Sequence, residues 1–174
     1  RIAGENAPKR PGAGPNRARC NKLVRVWRVC SKRHQRFDGE GARHYGGRWN
    51  HAGTPVVYTS GSLSLAALEL FVHVDIDIAP ADLMAMQADV PDSLAIEAIK
   101  IESLPKDWRR YPAPETLKDI GTAWAAKTST AILAVPSVMI PEERNYLLNP
   151  AHRDFKRIRI HKPTPFRFDP RVWK

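Results

Sequence analysis

Fifteen prolines are spread through the 174 residues of this chain. Each holds φ near about −65° and removes a backbone donor, so together they predict many loops and strand ends rather than long helices. The apolar segments between them fit that limit. "LVRVWRVC" (23–30) and "PVVYTS" (55–60) are rich in β-branched residues and bounded by turn formers, the pattern of strands. "SLSLAALELFVH" (62–73) opens on serines and sets Leu65, Leu68 and Val72 on one helical face. "DLMAMQADV" (82–90) and "SLAIEAIKI" (93–101) read as two strands joined at "PDS". "PETLKDIGTAWAAKT" (114–128) reads as a helix with Leu117, Ile120 and Trp124 at core spacing. "AILAVPSVMI" (131–140) is a strand interrupted at Pro136, and "FKRIRI" (155–160) and "TPFRFD" (164–169) add edge strands. Helices and strands without a βαβ rhythm indicate an α+β fold with a largely antiparallel sheet and a few short helices. No repeat or second boundary shows, so the expectation is a single domain over 23–174. The preceding "RIAGENAPKRPGAGPNRARCNK" (1–22) has almost nothing to bury and reads as a flexible basic arm.

Charge narrows the function classes. The net charge is +10, but residues 1–22 hold six Lys/Arg against one acid and residues 152–174 hold eight against two. The basicity is therefore terminal and the body neutral, which argues against a folded nucleic-acid recognition face. "FKRIRIHK" is either such a face or a solvated edge strand kept from aggregating by its cations. Cys20 and Cys30 match no zinc spacing, and the six histidines form no HExxH or Cys/His cluster, so no metal is expected. No run of 18 apolar residues and no signal-type h-region occurs, which leaves a reducing cytoplasm as the expected compartment.

Five side chains stand out for chemistry. Arg48 lies in "GGRWNHAG", where missing side chains let a ligand approach the backbone and a guanidinium can grip a phosphate or carboxylate. Alternatively, it pins its loop to a neighbouring carboxylate. Glu69 is the only ionisable residue between Leu63 and Val72. It either looks out through a solvent stripe or lines a cleft, where it would stabilise developing positive charge. Tyr58 alternates with Val56 and Ser60; it is a core or rim tyrosine, or a wall on which a flat heteroaromatic ring stacks. Ser137 follows the strand interruption at Pro136 and can face a ligand, but no histidine base is signalled beside it. Arg28 shares a strand face with Val24 and Val26, as a strand-end cation or a second anion holder. The set suits a substrate with a phosphate and a flat leaving ring, cleaved through a cationic, sugar-like transition state.

These residues fall within a recognisable pattern. "GGRWNHAGTPVVYTSGSLSLAALELFVH" (46–73) resembles the core motif of RES-domain proteins, the toxins of RES–Xre toxin–antitoxin pairs. "VPSVMIPEERNYLLNPAH" (135–152) is similar to the second motif of that family, Trp27-Arg28 to its opening strand, and "FRFDPRVW" (166–173) to its ending. The likeness spans about 23–173 and leaves the basic arm outside. The arginine, glutamate and serine of the family name match Arg48 (with Arg28 as the alternative), Glu69 and Ser137, and Asn149 stands in the family's asparagine place.

The resemblance implies an ADP-ribosyltransferase-like fold, mostly antiparallel, that takes NAD as substrate without a metal and breaks its nicotinamide–ribose bond. Arg48 would hold the pyrophosphate or position the ribose, Tyr58 would border the nicotinamide, and Glu69 would bind ribose hydroxyls and stabilise the oxocarbenium-like state. Ser137 and Asn149 would orient the substrate or shape the pocket, with Arg28 as a second anion holder. The acceptor would be water or phosphate, which would deplete NAD. Transfer to a protein target is the alternative, and a non-catalytic nucleic-acid-binding module the distant one. The implied partner is an Xre-like helix-turn-helix antitoxin that covers the site and supplies operator binding.

Overall fold

The computed structural model describes residues 23–73 and 82–173; the expected arm at 1–22 lies outside them. In chain order come β1 (Val24–Ser31), α1 (Glu40–Tyr45), β2 (Val57–Ser60) and α2 (Leu63–Phe71). They are followed by β3 (Leu83–Val90), β4 (Ile96–Ala98), α3 (Glu115–Lys127), β5 (Ile132–Pro136), β6 (Arg144–Leu148), β7 (Arg159–Ile160) and β8 (Thr164–Pro165). One sheet runs β4-β5-β6-β2-β1-β3-β7, with β8 also on β3. Its pairings are antiparallel except for β4 with β5.

That exception corrects the expectation of no βαβ rhythm. β4, α3 and β5 form one parallel crossover: all three elements are expected from the sequence, but the strand following "PDS" pairs with β5. The two strands expected on either side of "PDS" are real, but four other strands lie between them in the sheet. "FKRIRI" is mostly a 3₁₀ turn over Arg153–Arg157, and only Arg159–Ile160 reach the sheet, both exposed at its edge. The alternation of β6 and the short α1 were not anticipated.

Period-two alternation divides the sheet into two faces. On one face Val26, Cys30, Val57, Met86, Ala88, Val90, Ile132 and Leu148 form a dry cluster. On the other face the registers Tyr58–Leu147–Leu133 and Trp27–Ser60–Asn145–Val135 run across the strands. There α3 buries Leu117 and Trp124 with Leu133, Val135 and Leu147. α2 buries Ala66 with Val29 and Leu83, flanked by Trp27, Leu63, Leu70 and the tail residues Phe166 and Phe168. The Phe166 and Phe168 rings meet edge to face, 5.1 Å apart. The inward residues of α2 are Leu65 and Ala66, whereas the expected Val72 closes the helix exposed, beyond its last turn. Two helices thus share one face of the sheet without merging their apolar clusters. Polar side chains fill the gap between them.

Candidate active site

β2 ends at Ser60 and the chain turns into α2, whose first turn is capped by Ser62 Oγ accepting from the Leu65 N–H at 3.1 Å. Two turns later Glu69 projects toward the ends of β5 and β6. Its Oε1 accepts from Asn145 Nδ2 at 2.6 Å and from Ser137 Oγ at 2.9 Å. Asn145 is itself oriented by Ser60, whose Oγ donates to Asn145 Oδ1 at 2.7 Å. Oε2 has no hydrogen-bond partner among the described residues. The carboxylate is therefore half-buried and aimed, with one oxygen fastened and the other available.

Ser137 sits where β5 stops at Pro136, fully buried. Its Oγ accepts the N–H groups of Met139 (3.1 Å) and Ile140 (3.2 Å) and donates to Glu69. A hydroxyl has one proton and two lone pairs, and all three are in use. Ser137 thus orients Glu69 through its one proton.

Arg48 is half-buried, and its Nη1 donates to the carbonyls of Trp108 (2.9 Å) and Arg110 (3.2 Å), not to the carboxylate expected in the alternative reading. Its other nitrogens have no partner among the described residues. Burial lowers its pKa, opposed chiefly by the negative charge of Glu69. The loop carrying it is fixed on α3. His51 N–H donates to Thr122 Oγ1 at 3.0 Å, His51 Nε2 meets Asp119 at 2.7 Å, and a Cβ on Gly121 would collide with the Trp49 carbonyl.

Tyr58 runs beneath that loop. Its hydroxyl donates to Asn50 Oδ1 at 2.7 Å and accepts from Trp49 N–H at 2.9 Å, and burial pushes its pKa well up. A Cβ on Gly47 would stand 2.5 Å from the Tyr58 hydroxyl. Tyr58 thus requires a glycine at this position. Asn50, fully buried, spreads the two hydrogens of Nδ2 over the carbonyls of Ala42, His51 and Thr54, one of them shared.

Arg48, Tyr58, Glu69 and Ser137 are thus brought to one side of the sheet, and two expected residues are not. Arg28 alternates with Trp27 and Val29, which places it on the face of Val26 and Cys30, away from Glu69; its Nη1 donates to the Arg36 carbonyl at 2.9 Å. Asn149 is 1% exposed, donating to the Ala125 carbonyl (2.9 Å) and accepting from Ala151 N–H (3.0 Å). It ties the end of α3 to the exit of β6. Asn145 was missed, although counting back by two from Leu147 puts it on the Tyr58 face. No group of three or more His, Cys, Asp or Glu side chains able to hold a metal occurs among the described residues. None of the described helices is long and apolar enough to cross a membrane.

Comparison with known proteins matches the same region. The profile of a family described as "RES domain" matches residues 25–169. A Yersinia enterocolitica protein named "Toxin Res" is 39% identical over 150 residues, covering 84% of this chain and 98% of that protein. A Sphingobium protein named "Prs ADP-ribosylating toxin" is 39% identical over 138 residues, covering 78% and 86%. Among solved structures, the M. tuberculosis MbcT–MbcA toxin–antitoxin complex holds a chain of the same fold. Its TM-score is 0.69 at 17% identity, over 84% of this chain and 85% of that one.

Proposed function

The chain belongs to the RES domain family, and from that premise we propose that it is the toxin of a toxin–antitoxin pair that consumes NAD. The observation that carries this reading is the half-fastened carboxylate: Glu69 with Oε1 bound by Asn145 and Ser137 and Oε2 free. In the reaction, the C1′–N bond of the nicotinamide ribose breaks and its electron pair passes to the pyridinium nitrogen. Nicotinamide leaves neutral, so no general acid is needed. Positive charge builds on C1′ and the ring oxygen. A carboxylate fixed beside it, without a counter-cation in contact, stabilises that charge more than it stabilises the ground state. Oε2 is the oxygen that would accept from a ribose hydroxyl or face C1′.

Arg48 would meet the pyrophosphate with the nitrogens its loop contacts leave free, and Tyr58 would support the wall beneath it rather than stack in the open. The acceptor oxygen, from water or phosphate, attacks C1′ and releases its proton to solvent. A second reading, transfer of ADP-ribose to a protein, is favoured by the name of the Sphingobium relative. An antitoxin covering the mouth of this site is part of either reading; the chain of like fold was solved in a toxin–antitoxin complex.

The test is NAD loss by the purified, partner-free protein, with and without phosphate and with and without cell extract. Loss accelerated by phosphate identifies phosphorolysis, phosphate-independent loss identifies hydrolysis, and label appearing on protein only with extract identifies transfer. Folded protein that leaves NAD intact in every tube overturns the reading.

A further inference from the structure

Beside Arg48 the loop at 105–112, "PKDWRRYP", is built unlike an ordinary surface excursion. Trp108 anchors it in the α3 cluster at 6% exposure. Two turn bonds close on that anchor, Trp108 N–H to the Pro105 carbonyl at 3.0 Å and Arg110 N–H to the Asp107 carbonyl at 2.8 Å. Arg48 Nη1 then fastens the carbonyls of Trp108 and Arg110 to the site. The loop's backbone is therefore tied to the anion-holding guanidinium itself.

What it displays from that base is Arg109, Arg110 and Tyr111 in succession, all exposed, with Tyr111 at 83%. Tyr111 makes no hydrogen bond or ring contact among the described residues. Tyr45 is equally exposed at 90%, but it packs edge-on against His44, 6.3 Å away. Tyr111 follows directly on Arg110, whose carbonyl Arg48 Nη1 binds at 3.2 Å, so of these two open tyrosines it is the one on the loop fastened to Arg48.

Resting on the reading of the site as a dinucleotide pocket, we propose that Tyr111 is the stacking platform for the purine ring of the substrate. The loop 105–112 is then the wall of the adenylate half. Glu69 attends the ribose that reacts, Arg48 the phosphates, and Tyr111 the flat base beyond them, next to two cations that favour the same polyanionic ligand. This assigns Tyr111 to substrate binding and not to the bond-breaking step, so its removal acts on affinity.

The experiment is titration calorimetry with ADP-ribose, which keeps the purine but does not turn over, against wild type, Tyr111→Phe and Tyr111→Ala. Ribose 5-phosphate, which lacks the purine, serves as the control ligand. Tyr111→Ala is expected to weaken ADP-ribose roughly tenfold, within the range of base–aromatic stacking, and Tyr111→Phe to bind as wild type. Ribose 5-phosphate is expected to bind the three proteins equally. With NAD, Tyr111→Ala is expected to raise KM by a similar factor at nearly unchanged kcat. Equal ADP-ribose affinity in Tyr111→Ala and wild type, in protein that consumes NAD, overturns this inference and leaves the pocket reading standing. Wild type that neither binds ADP-ribose nor consumes NAD overturns both.

Discussion

Two carboxylates lie on the same side of the sheet in opposite circumstances. Asp89, on β3, pairs with Arg25 Nε at 2.9 Å and with His161 Nε2 at 2.8 Å, and it joins β1, β3 and the segment after β7. The Arg25 hydrogen bond, working against burial, holds its carboxyl down at about 2, with His161 adding to the effect. Glu69, on α2, touches no cation at all among the described residues; an amide and a hydroxyl orient it and leave one oxygen open. A carboxylate matched to cations already in the fold has its charge answered, and it serves stability. In the function proposed above, one that is oriented but unmatched keeps its charge for a cation that appears only during reaction. The site lies where the α2 and α3 clusters fail to merge, and its polar residues are what occupy the seam.

The comparison can be attacked from each side. Asn145→Asp would place a second carboxylate where Nδ2 now donates, 2.6 Å from Glu69. Like charges there drive one of the pair to hold a proton, and NAD consumption is expected to fall on the order of a hundredfold while far-UV circular dichroism is unchanged. A smaller effect is expected from Ser137→Ala, which frees Glu69 Oε1 from one of its two donors and takes the hydroxyl acceptor from two part-buried N–H groups. Activity should drop about tenfold, with about 1 kcal/mol lost in urea unfolding. Unchanged activity in Ser137→Ala would mean that the aim of Glu69 does not matter.

The smallest effect on activity belongs to Asp89→Asn, which should leave NAD consumption at the wild-type level. Its signature is acid stability. Because the folded pKa of Asp89 is depressed from 3.8 to about 2, its contribution is fully present above about pH 4 and fades as pH falls toward 2. The variant should be about 1 kcal/mol less stable at neutral pH, Arg25 being half-exposed and screened. Its stability curve should also be flatter between pH 4 and pH 2 in acid titrations followed by fluorescence.

Much of this contrast could be read before any fold was known. Glu69 announced itself as the lone charge in an apolar helix, and Ser137 as the hydroxyl after a strand-ending proline. The resemblance of 46–73 and 135–152 to two motifs of one family grouped Arg48, Glu69 and Ser137. Asn149 drew attention by its place in "LLNP", while Asn145 did the orienting, because only strand register distinguishes a site-facing asparagine from one locked between backbone groups. Arg28 was on the wrong face for the same reason: a two-residue period defines two faces but not which one carries the helices. The partners of Arg48 were beyond reach altogether, since they are carbonyls 60 and 62 residues away, and a carbonyl leaves no mark in the residue type. The β4–α3–β5 crossover escaped although its three elements were expected, because a residue pattern marks a strand but not the strand it pairs with.

The most direct measurement is the rate of nicotinamide release by Glu69→Gln beside wild type, at matched folded concentration and saturating NAD. Gln keeps the shape, and an amide oxygen can still accept from Ser137 and Asn145, so only the charge is removed. The account predicts a loss of about a hundredfold or more in kcat with the melting temperature nearly unchanged. Wild-type turnover in a folded Glu69→Gln protein would contradict it and move the reacting centre away from this carboxylate.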